Sequence, residues 1–444
     1  MTATIDDSTQ PHASISTENA TQPRASISHP AIPLVNAERA RRFMHDAGVD
    51  LLCVKNDEHL YYLSGYFSDS SRCHFYDDWA CVAYAASPSI PSTLFVPDYD
   101  LAYQVTKPTW LPQLRAYGSE WSSAGSLLKE IYAGVGVETE LRAPLRELFA
   151  RTRPTLSATL TGAVTAFIDE HFGGRSLTIG CDDLRYAAVL ERALPGRVKT
   201  IDARPLLRRI RAVKTEPEID LLRKAALIND RAMAAAADAI RCGGPWRDMV
   251  NAYRSVLARE GAKPLGERGM LFNSGPDGAF VLDHEYIEAK RFAAGETVLL
   301  DCICEHRLYH ADMARTAIVG EPTIRQRDMH AAVIEALAAA EAQMVPGKHT
   351  ADVATVAARV LEQHGLNPRW TTLVVHPIGL EIFDYAEPEH VFGGWRLESD
   401  MVLNFEVFYR DPQEGGMHLE DTVVIRRDSV ERFSTSSRDL IVAG

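Results

Sequence analysis

Acidic residues inside strand-like, otherwise apolar segments are the feature of this sequence that most directly suggests chemistry. Asp301 lies in Val-Leu-Leu-Asp-Cys-Ile-Cys, and Asp312 follows eleven residues later in a second strand-like segment. A hairpin centred on residues 305–308 would pair Asp301 directly with Asp312, because paired residue numbers would sum to 613. Two carboxylates at cross-strand distance repel each other, so we expect a proton or a cation between them. The alternative is an edge hairpin whose aspartates face solvent.

A second pair of acidic residues follows the same pattern. Glu406 lies in the middle of Met-Val-Leu-Asn-Phe-Glu-Val-Phe, and Glu420 shares a predicted strand face with Thr422 in the next strand-like segment. Burying a lone glutamate is costly unless it is paired or bound to a metal. His376, between an apolar run and Pro377, is the fifth candidate.

Four carboxylates and one imidazole form a set of hard ligands. Such a set suits two divalent metal ions, with Mn, Fe, Co or Zn as candidates, bridged by carboxylates and a shared water. The set contains no sulfur, which disfavours a structural zinc site. Two ions about 3.5–4 Å apart would lower the pKa of the bridging water and supply hydroxide near neutral pH.

The elements that must position these residues divide the chain into three parts. Residues 1–33 are rich in Ser, Thr, Pro and Gln and are predicted to be a disordered tail. Residues 34–205 alternate strand-like and helical patterns, which predicts an α/β domain. Thr215-Glu-Pro-Glu218 is a capping box that should begin a long helix, and residues 213–444 are predicted to form the catalytic domain.

Composition excludes several classes of function. The chain has 444 residues, 46% of them hydrophobic, and a formal net charge of −13. Net acidity argues against nucleic-acid binding and against an anionic membrane surface, both of which need clustered cations. The seven cysteines are too few and too scattered for a disulfide scaffold. Because no signal peptide or membrane-spanning run is evident, we expect a cytoplasmic protein.

The flanking residues of the five candidates resemble those of the pita-bread (creatinase/prolidase/aminopeptidase P) metallohydrolase family. The matching motifs are Asp301 and Asp312 at their spacing, His376-Pro-Ile-Gly-Leu, Asn-Phe-Glu406 and Leu-Glu420-Asp-Thr-Val-Val. The resemblance covers roughly residues 213–430, and Tyr-Leu-Ser-Gly65 is similar to the N-terminal domain of creatinase and prolidase. It implies an α+β fold in which a pita-bread catalytic domain is preceded by a creatinase-like α/β N-terminal domain.

The resemblance also implies an activity. The expected enzyme is a dinuclear metal-dependent hydrolase of the Xaa-Pro peptidase type, prolidase or aminopeptidase P, in which metal-bound hydroxide attacks an amide carbon. The implied metal ligands are Asp301, Asp312, His376, Glu406 and Glu420. Glu406 would also take the proton from the water, and His284 would stabilise the oxyanion or the leaving group. A short peptide or small molecule is the implied substrate, and a homodimer is the implied assembly.

Two positions depart from the family pattern. Phe383 stands where family peptidases carry a histidine that helps to hold the scissile peptide, and Phe cannot donate a hydrogen bond to an oxyanion. His418 stands where prolidase and aminopeptidase P carry an arginine. Both changes argue against plain Xaa-Pro peptidase activity.

These departures leave an alternative open, a non-peptide member of the family that acts on a small zwitterion. One form of this alternative is a C–N hydrolase resembling creatinase or ectoine hydrolase. The other is a C–S lyase of the dimethylsulfoniopropionate type, in which Asp384 or Glu381 would be the base. A third interpretation is a pseudoenzyme that only binds peptide or protein. That interpretation predicts lost metal ligands, and the sequence has lost none of the five.

Overall fold

Two β-sheets organise the part of the chain that the structure describes. The structure is a computed structural model, and it describes residues 32–68, 79–118, 130, 133–266, 269–271, 274–275, 289–387 and 390–444. The predicted tail, apart from residues 32 and 33, lies outside the described residues, and so does His284.

The secondary structure alternates strands and helices up to about residue 211, after which long strands follow two long helices. The helices are α1 (Ala37–Asp46), α2 (Asp57–Ser64), α3 (Leu101–Thr106), α4 (Arg142–Thr152), α5 (Leu160–Phe172), α6 (Leu184–Ala193), α7 (Arg204–Arg211), α8 (Glu216–Asp238), α9 (Trp246–Glu260), α10 (Ile324–Glu341), α11 (Thr350–Gln363) and α12 (His390–Gly393). The strands are β1 (Leu51–Val54), β2 (Cys81–Ala85), β3 (Thr93–Pro97), β4 (Gln113–Tyr117), β5 (Leu177–Cys181), β6 (Val198–Asp202), β7 (Lys263–Pro264), β8 (Met270–Leu271), β9 (Thr297–His306), β10 (Tyr309–Val319), β11 (Thr371–Pro377), β12 (Val402–Asp411), β13 (Gly415–Ile425), β14 (Val430–Arg432) and β15 (Ile441–Ala443).

The first sheet has six strands in the order β4-β3-β2-β1-β5-β6. Pairs β1/β5, β5/β6 and β3/β4 are parallel, and the pairs that β2 makes with β1 and β3 are antiparallel. Strands β1, β2 and β3 are buried along their whole length, because apolar cores cover both faces of the sheet. Their continuous apolar runs explain why the sequence predicted strands here.

The start of α8 contacts the second sheet. Thr215 and Glu218 form the predicted capping box, which is therefore confirmed, and Pro217 occupies the first helical turn, where no backbone donor is needed. Glu218 Oε2 accepts from the Thr215 backbone N–H at 2.9 Å, and Oε1 accepts from the Tyr309 hydroxyl at 3.0 Å. The capping glutamate thus ties the beginning of α8 to β10 of the second sheet.

The second sheet has nine strands, with β11-β12-β13-β10-β9-β7 as its main path; β14, β15 and β8 pair with β13, β10 and β9. Residues of β9 and β10 that point to one face, such as Cys302 and Met313, join the apolar core that includes α8 and α9. Phe405 and Leu419 of β12 and β13 pack in the core that includes α10 and α11. The helices therefore cover one face of this sheet, and the acidic residues lie on the other.

The hairpin of β9 and β10 has a register that differs from the predicted one. Asp301 pairs with Ala314, and Asp312 pairs with Ile303, so paired residue numbers sum to 615 and the prediction of 613 is wrong. The reason is a two-residue turn at Arg307 and Leu308, whose φ angles of 50° and 67° suit a tight hairpin. Asp301 and Asp312 remain on one face as diagonal neighbours, because the shift is by an even number of residues.

Candidate metal centre

The candidate residues lie in neighbouring rows on the face of the second sheet that is opposite the helices. One row runs across β9, β10, β13 and β12 through Asp301, Ala314, Glu420 and Glu406, each opposite the next. Small Ala314 leaves space in the middle of this row. The register of four strands thus brings three carboxylates from distant parts of the sequence to one line.

The adjacent row supplies the imidazole and the fourth carboxylate. His376 on β11 pairs with Asn404 on β12, two residues from Glu406 on the same face. Asp312 lies two residues from Ala314 on β10. The His376 Nε2 atom is 3.3 Å from Glu420 Oε1 and 3.9 Å from Asp312 Oδ2. The two rows are therefore close enough to surround a cation.

Ligand atoms converge in two overlapping groups. Within each group of three side chains, the nitrogen and oxygen atoms that could bind a metal lie within 4.8 Å of one another. The groups are Asp312, His376 and Glu420, and Glu406, His418 and Glu420. Glu420 belongs to both groups, Asp301 belongs to neither, and His418, which is not one of the five predicted ligands, belongs to the second.

Two carboxylates of this centre, those of Asp301 and Asp312, have raised pKa values in the absence of a cation. Burial, together with the nearby Glu420 and Glu406 carboxylates, raises the pKa of Asp301 to about 7, although His418 opposes the change. Burial and the Glu420 and Asp301 carboxylates raise the pKa of Asp312 well above its ordinary value. Asp312 Oδ1 is buried and has no hydrogen-bond partner among the described residues. A buried, unpartnered carboxylate oxygen among other acids fits a divalent ion, which would supply the missing positive charge.

Glu406 differs from the two aspartates because His418 is its partner. His418 Nε2 lies 2.8 Å from Glu406 Oε2. Burial favours the neutral form of Glu406, but the hydrogen bond and charge of His418 bring its pKa below the ordinary value. Burial likewise opposes charge on His418, yet Glu406 and Asp301 raise the pKa of this histidine. The contact with His418 therefore favours the ionised form of Glu406.

Asn404 and Thr422 orient the ligand atoms, a role that was not predicted from the sequence for either residue. Asn404 donates from Nδ2 to Glu420 Oε1 at 2.9 Å and to the Asp312 carbonyl at 2.9 Å. Thr422 donates to the Asp312 carbonyl at 3.0 Å. Strand alternation could have indicated both, because Asn404 precedes Glu406 by two residues and Thr422 follows Glu420 by two. The partnership of His418 with Glu406 was missed as well.

The loop after β11 places Phe383 beside the centre. The Phe383 ring centroid lies 4.6 Å from that of His376, and the residue is 52% exposed. Its ring is nearly parallel to that of Tyr385, with centroids 6.4 Å apart. Where family peptidases carry a histidine, this chain therefore places the apolar ring of Phe383 beside the centre.

Asp384 and Glu381 do not serve as a free base next to His376. Asp384 is buried and accepts from Arg211 Nη2 at 2.6 Å and from Lys214 Nζ at 3.0 Å. Burial opposes its ionisation, but the two cations hold the pKa of Asp384 well below its ordinary value. Glu381 forms ion pairs with Arg208 at 2.6 Å and Arg211 at 3.0 Å. The predicted role of either acid as the base of a lyase has no support in this arrangement.

Comparisons with known proteins agree with this architecture. Residues 220–427 match the family model described as metallopeptidase family M24, and residues 37–213 match the model described as creatinase/prolidase N-terminal domain. An Xaa-Pro dipeptidase from Pyrococcus furiosus is 28% identical over 237 residues, which are 53% of this chain and 67% of the relative. An Xaa-Pro dipeptidase from Pyrococcus horikoshii is 27% identical over 237 residues, which are 53% of this chain and 66% of the relative.

Solved structures share the fold along most of the chain. A prolidase from Pyrococcus horikoshii OT3 superposes with a TM-score of 0.65 at 20% identity, and the match covers 91% of this chain and 99% of the other. An Xaa-Pro dipeptidase from Bacillus anthracis superposes with a TM-score of 0.68 at 19% identity, covering 91% of this chain and 98% of the other. No helix in the described part of the chain is long and apolar enough to span a membrane.

Proposed function

Because this chain belongs to the pita-bread metallopeptidases of family M24 and carries a creatinase/prolidase N-terminal domain, we propose that its acidic cluster is the active centre of an Xaa-Pro dipeptidase. The predictions of family, of an α+β pita-bread fold, and of a metal-dependent hydrolase of the Xaa-Pro peptidase type are confirmed. The exact substrate, the number of ions and the role of each residue are part of the proposal.

The observation that carries the proposal is the convergence of four acidic side chains and one histidine on a single sheet face. Divalent metal ions fit this set, and we assign Asp301, Asp312, His376, Glu406 and Glu420 as the ligands of two ions. Bound there, the ions would lower the pKa of a water molecule and polarise the scissile carbonyl. Oxygen-rich sets of this kind accept Mn, Fe, Co or Zn according to availability, and we favour manganese.

Glu406 is the residue to which we assign proton transfer. Its carboxylate is ionised, since His418 lowers its pKa, and Oε2 is fixed by His418 Nε2 at 2.8 Å. An oriented, ionised carboxylate can accept the proton of an attacking water and return it to the leaving nitrogen. His284, outside the described residues, stays a prediction for the stabilisation of the oxyanion or leaving group.

The centre is better suited to a peptidase than to the lyase alternative. Phe383 forms an apolar surface beside His376, against which the ring of a proline residue could pack. The two acids that a lyase would need as a base are held in ion pairs with Arg208, Arg211 and Lys214. The relatives that match this chain include Xaa-Pro dipeptidases.

Three further features of the molecule are proposals of the same kind. We propose a homodimer and a cytoplasmic location, both predicted from the sequence. We also propose an N-terminal domain over 34–205 and a catalytic domain over 213–444.

The test is hydrolysis of Xaa-Pro dipeptides by the full chain after reconstitution with Mn²⁺. We expect release of free proline, and we expect its loss when the protein is treated with a chelator. Glu406→Gln keeps the shape of the side chain but removes its charge, and should lower kcat about 10²–10⁴-fold. Release of proline that is unaffected by chelation would contradict the proposal, and so would a metal-loaded protein that cleaves no Xaa-Pro dipeptide.

A further inference from the structure

The boundary between β10 and β13 runs through the middle of the candidate metal centre. Strands β9 and β10 pair along nearly their whole length, as do β12 and β13. In the described part of the chain, β10 and β13 pair at Ala314 and Glu420 alone. This seam, residues 312–316 of β10 opposite 418–422 of β13, is buried, and buried backbone groups that leave a ladder need other partners.

Thr316 takes the place of a backbone partner at one end of the seam. Continuing the register by two residues from the bridging pair puts Thr316 opposite His418. The Thr316 hydroxyl accepts from the His418 backbone N–H at 2.8 Å and donates to the His418 carbonyl at 3.1 Å. In a hydrogen-bonded antiparallel pair, both groups would bond to the backbone of the opposite residue. One fully buried side-chain oxygen therefore replaces two backbone hydrogen bonds.

Side chains also satisfy backbone groups along the rest of the seam. Arg315 donates from Nη1 to the carbonyls of Ala314 and Glu420, each at 2.8 Å. At the other end of the seam, the Asp312 carbonyl accepts from Asn404 Nδ2 at 2.9 Å. The spacing of β10 and β13 at the metal centre is therefore set by side chains and not by a continuous backbone ladder.

Ligands of the centre lie on both sides of the seam. Asp312 on β10 and Glu420 on β13 belong to one group whose potential metal-binding atoms lie within 4.8 Å of one another. His418, whose backbone bonds to Thr316, places its Nε2 atom 2.8 Å from Glu406 Oε2. Because binding sites tolerate displacements of only about 0.5 Å, a change in the spacing of the two strands would disturb ligands from both of them.

We propose that Thr316 is a positioning residue of the metal centre, because its hydroxyl holds β10 and β13 at the spacing that brings Asp312 and Glu420 together. The inference rests on the proposed function for the assignment of the metal ligands, and it adds a residue outside that set. Thr316 acts through the strands and is not itself a ligand. The competing explanation is that its hydroxyl only satisfies the buried backbone of His418 and stabilises the sheet.

The test compares variants that lack the hydroxyl with one that keeps it. Thr316→Val preserves the branched shape and removes the hydroxyl, whereas Thr316→Ser keeps the hydroxyl. Calorimetry with Mn²⁺ on the metal-depleted full chain measures the dissociation constant of the ion. We expect this constant to rise about 10–100-fold in Thr316→Val, as for other residues that orient metal ligands, and to change little in Thr316→Ser.

A purely structural role predicts a different result. Thr316→Val would then unfold at a lower urea concentration and still bind Mn²⁺ as tightly as the unaltered chain, which would overturn the proposal. If Thr316→Val does not fold, Thr316→Ala takes its place, because it also lacks the hydroxyl and adds no apolar group.

Thr93→Val is the matched control for the loss of a buried hydroxyl. Thr93 is fully buried in β3 of the first sheet, and its hydroxyl donates to Gln113 Oε1 at 2.7 Å. We expect Thr93→Val to bind Mn²⁺ like the unaltered chain. Equal weakening of Mn²⁺ binding in Thr93→Val and Thr316→Val would reflect a general loss of stability and would contradict the role of Thr316.

A measurement without metal separates this inference from the proposed function. Hydrogen–deuterium exchange of the metal-depleted full chain, resolved to the His418 amide, reports the seam itself. We expect faster exchange of this amide in Thr316→Val and not in Thr316→Ser. If the unaltered chain bound no Mn²⁺, the proposed function would fail, and faster exchange would still support Thr316 as the residue that holds the seam. Unchanged exchange in Thr316→Val would overturn the inference even if the unaltered chain bound metal.

Discussion

At the scale of single residues, the acids of the centre differ in the direction in which their surroundings shift their pKa values. Asp301 and Asp312 share a crowded, partly buried space in which their pKa values are raised, whereas His418 keeps Glu406 ionised. This contrast is consistent with the proposed roles, in which the aspartates bind metal and Glu406 also transfers a proton. A bound cation would favour the ionised form of both aspartates, whereas His418 already favours the ionised form of Glu406.

Removing the imidazole that holds Glu406 tests this division. We expect His418→Leu to weaken metal retention or activity about 10–100-fold, because residues that orient metal ligands commonly contribute that much. His418→Gln, which can still donate to Glu406, should lose less. The measurement is metal content after dialysis together with kcat/KM. His364→Leu, at an exposed histidine paired with Glu335, is the control and should resemble the unaltered chain.

The sequence was sufficient to predict the five candidate ligands but not their partners. Each of the five is a polar residue within or beside an apolar run, which is visible in the sequence. The contact between His418 and Glu406 joins β13 and β12 diagonally, and it depends on a register that alternation alone does not determine. The same limitation applies to Asn404, whose amide reaches across to Glu420.

At the scale of elements, strand register decides whether the ligands meet. The prediction for the β9/β10 hairpin placed both strands correctly and missed the pairing by two residues. The turn residues Arg307 and Leu308 adopt positive φ without the Asn or Gly that usually indicates such a turn. Leu308 is buried in the apolar core, and its packing there favours this turn. The shared face was predicted correctly because an even shift preserves it.

The capping box of α8 has a pH dependence that can be measured. Burial raises the pKa of Glu218 to about 7, although Lys214 and the Thr215 backbone N–H oppose the change. A raised carboxyl pKa means that the folded chain holds this proton more tightly than the unfolded chain. The free energy of unfolding should therefore decrease, through this group, as pH rises from about 4.5 to about 7.

Glu218→Gln removes this titration while keeping the shape of the cap. We expect the variant to gain stability relative to the unaltered chain by about 3 kcal/mol between pH 4.5 and 7.5. Urea unfolding of the metal-depleted chain at several pH values measures the difference. A difference between the two chains that does not change with pH would show that Glu218 does not titrate in this range.

At the scale of the whole molecule, a buried ion cluster connects the segment between the sheets to the loop after His376. Arg211 at the end of α7 and Lys214 before α8 both contact Asp384, and all three side chains are almost fully buried. Such a cluster stabilises the structure only while it is complete, because each member left without its partner is a buried charge.

Asp384→Asn removes the acid that Arg211 and Lys214 share, which leaves Arg211 with Glu381 alone and buried Lys214 without an ion-pair partner among the described residues. We expect the free energy of unfolding to fall by about 3–5 kcal/mol, as for other broken buried ion pairs. The half-exposed pair of Arg209 and Glu387 is the comparison, and Arg209→Met should cost at most about 1 kcal/mol. Denaturant unfolding of both variants measures the contrast. Similar losses in the two variants would mean that burial of the Asp384 cluster contributes little.

The carboxylates on this sheet face lie close enough together to require divalent cations, and this requirement can be tested by measuring bound metal. The full chain is loaded with Mn²⁺, desalted and analysed for bound metal, alongside Asp312→Asn and Glu420→Gln variants prepared in the same way. We predict about two ions per unaltered chain and a clear loss in both variants. Fewer than one ion per unaltered chain, or equal metal in all three proteins, would contradict the account.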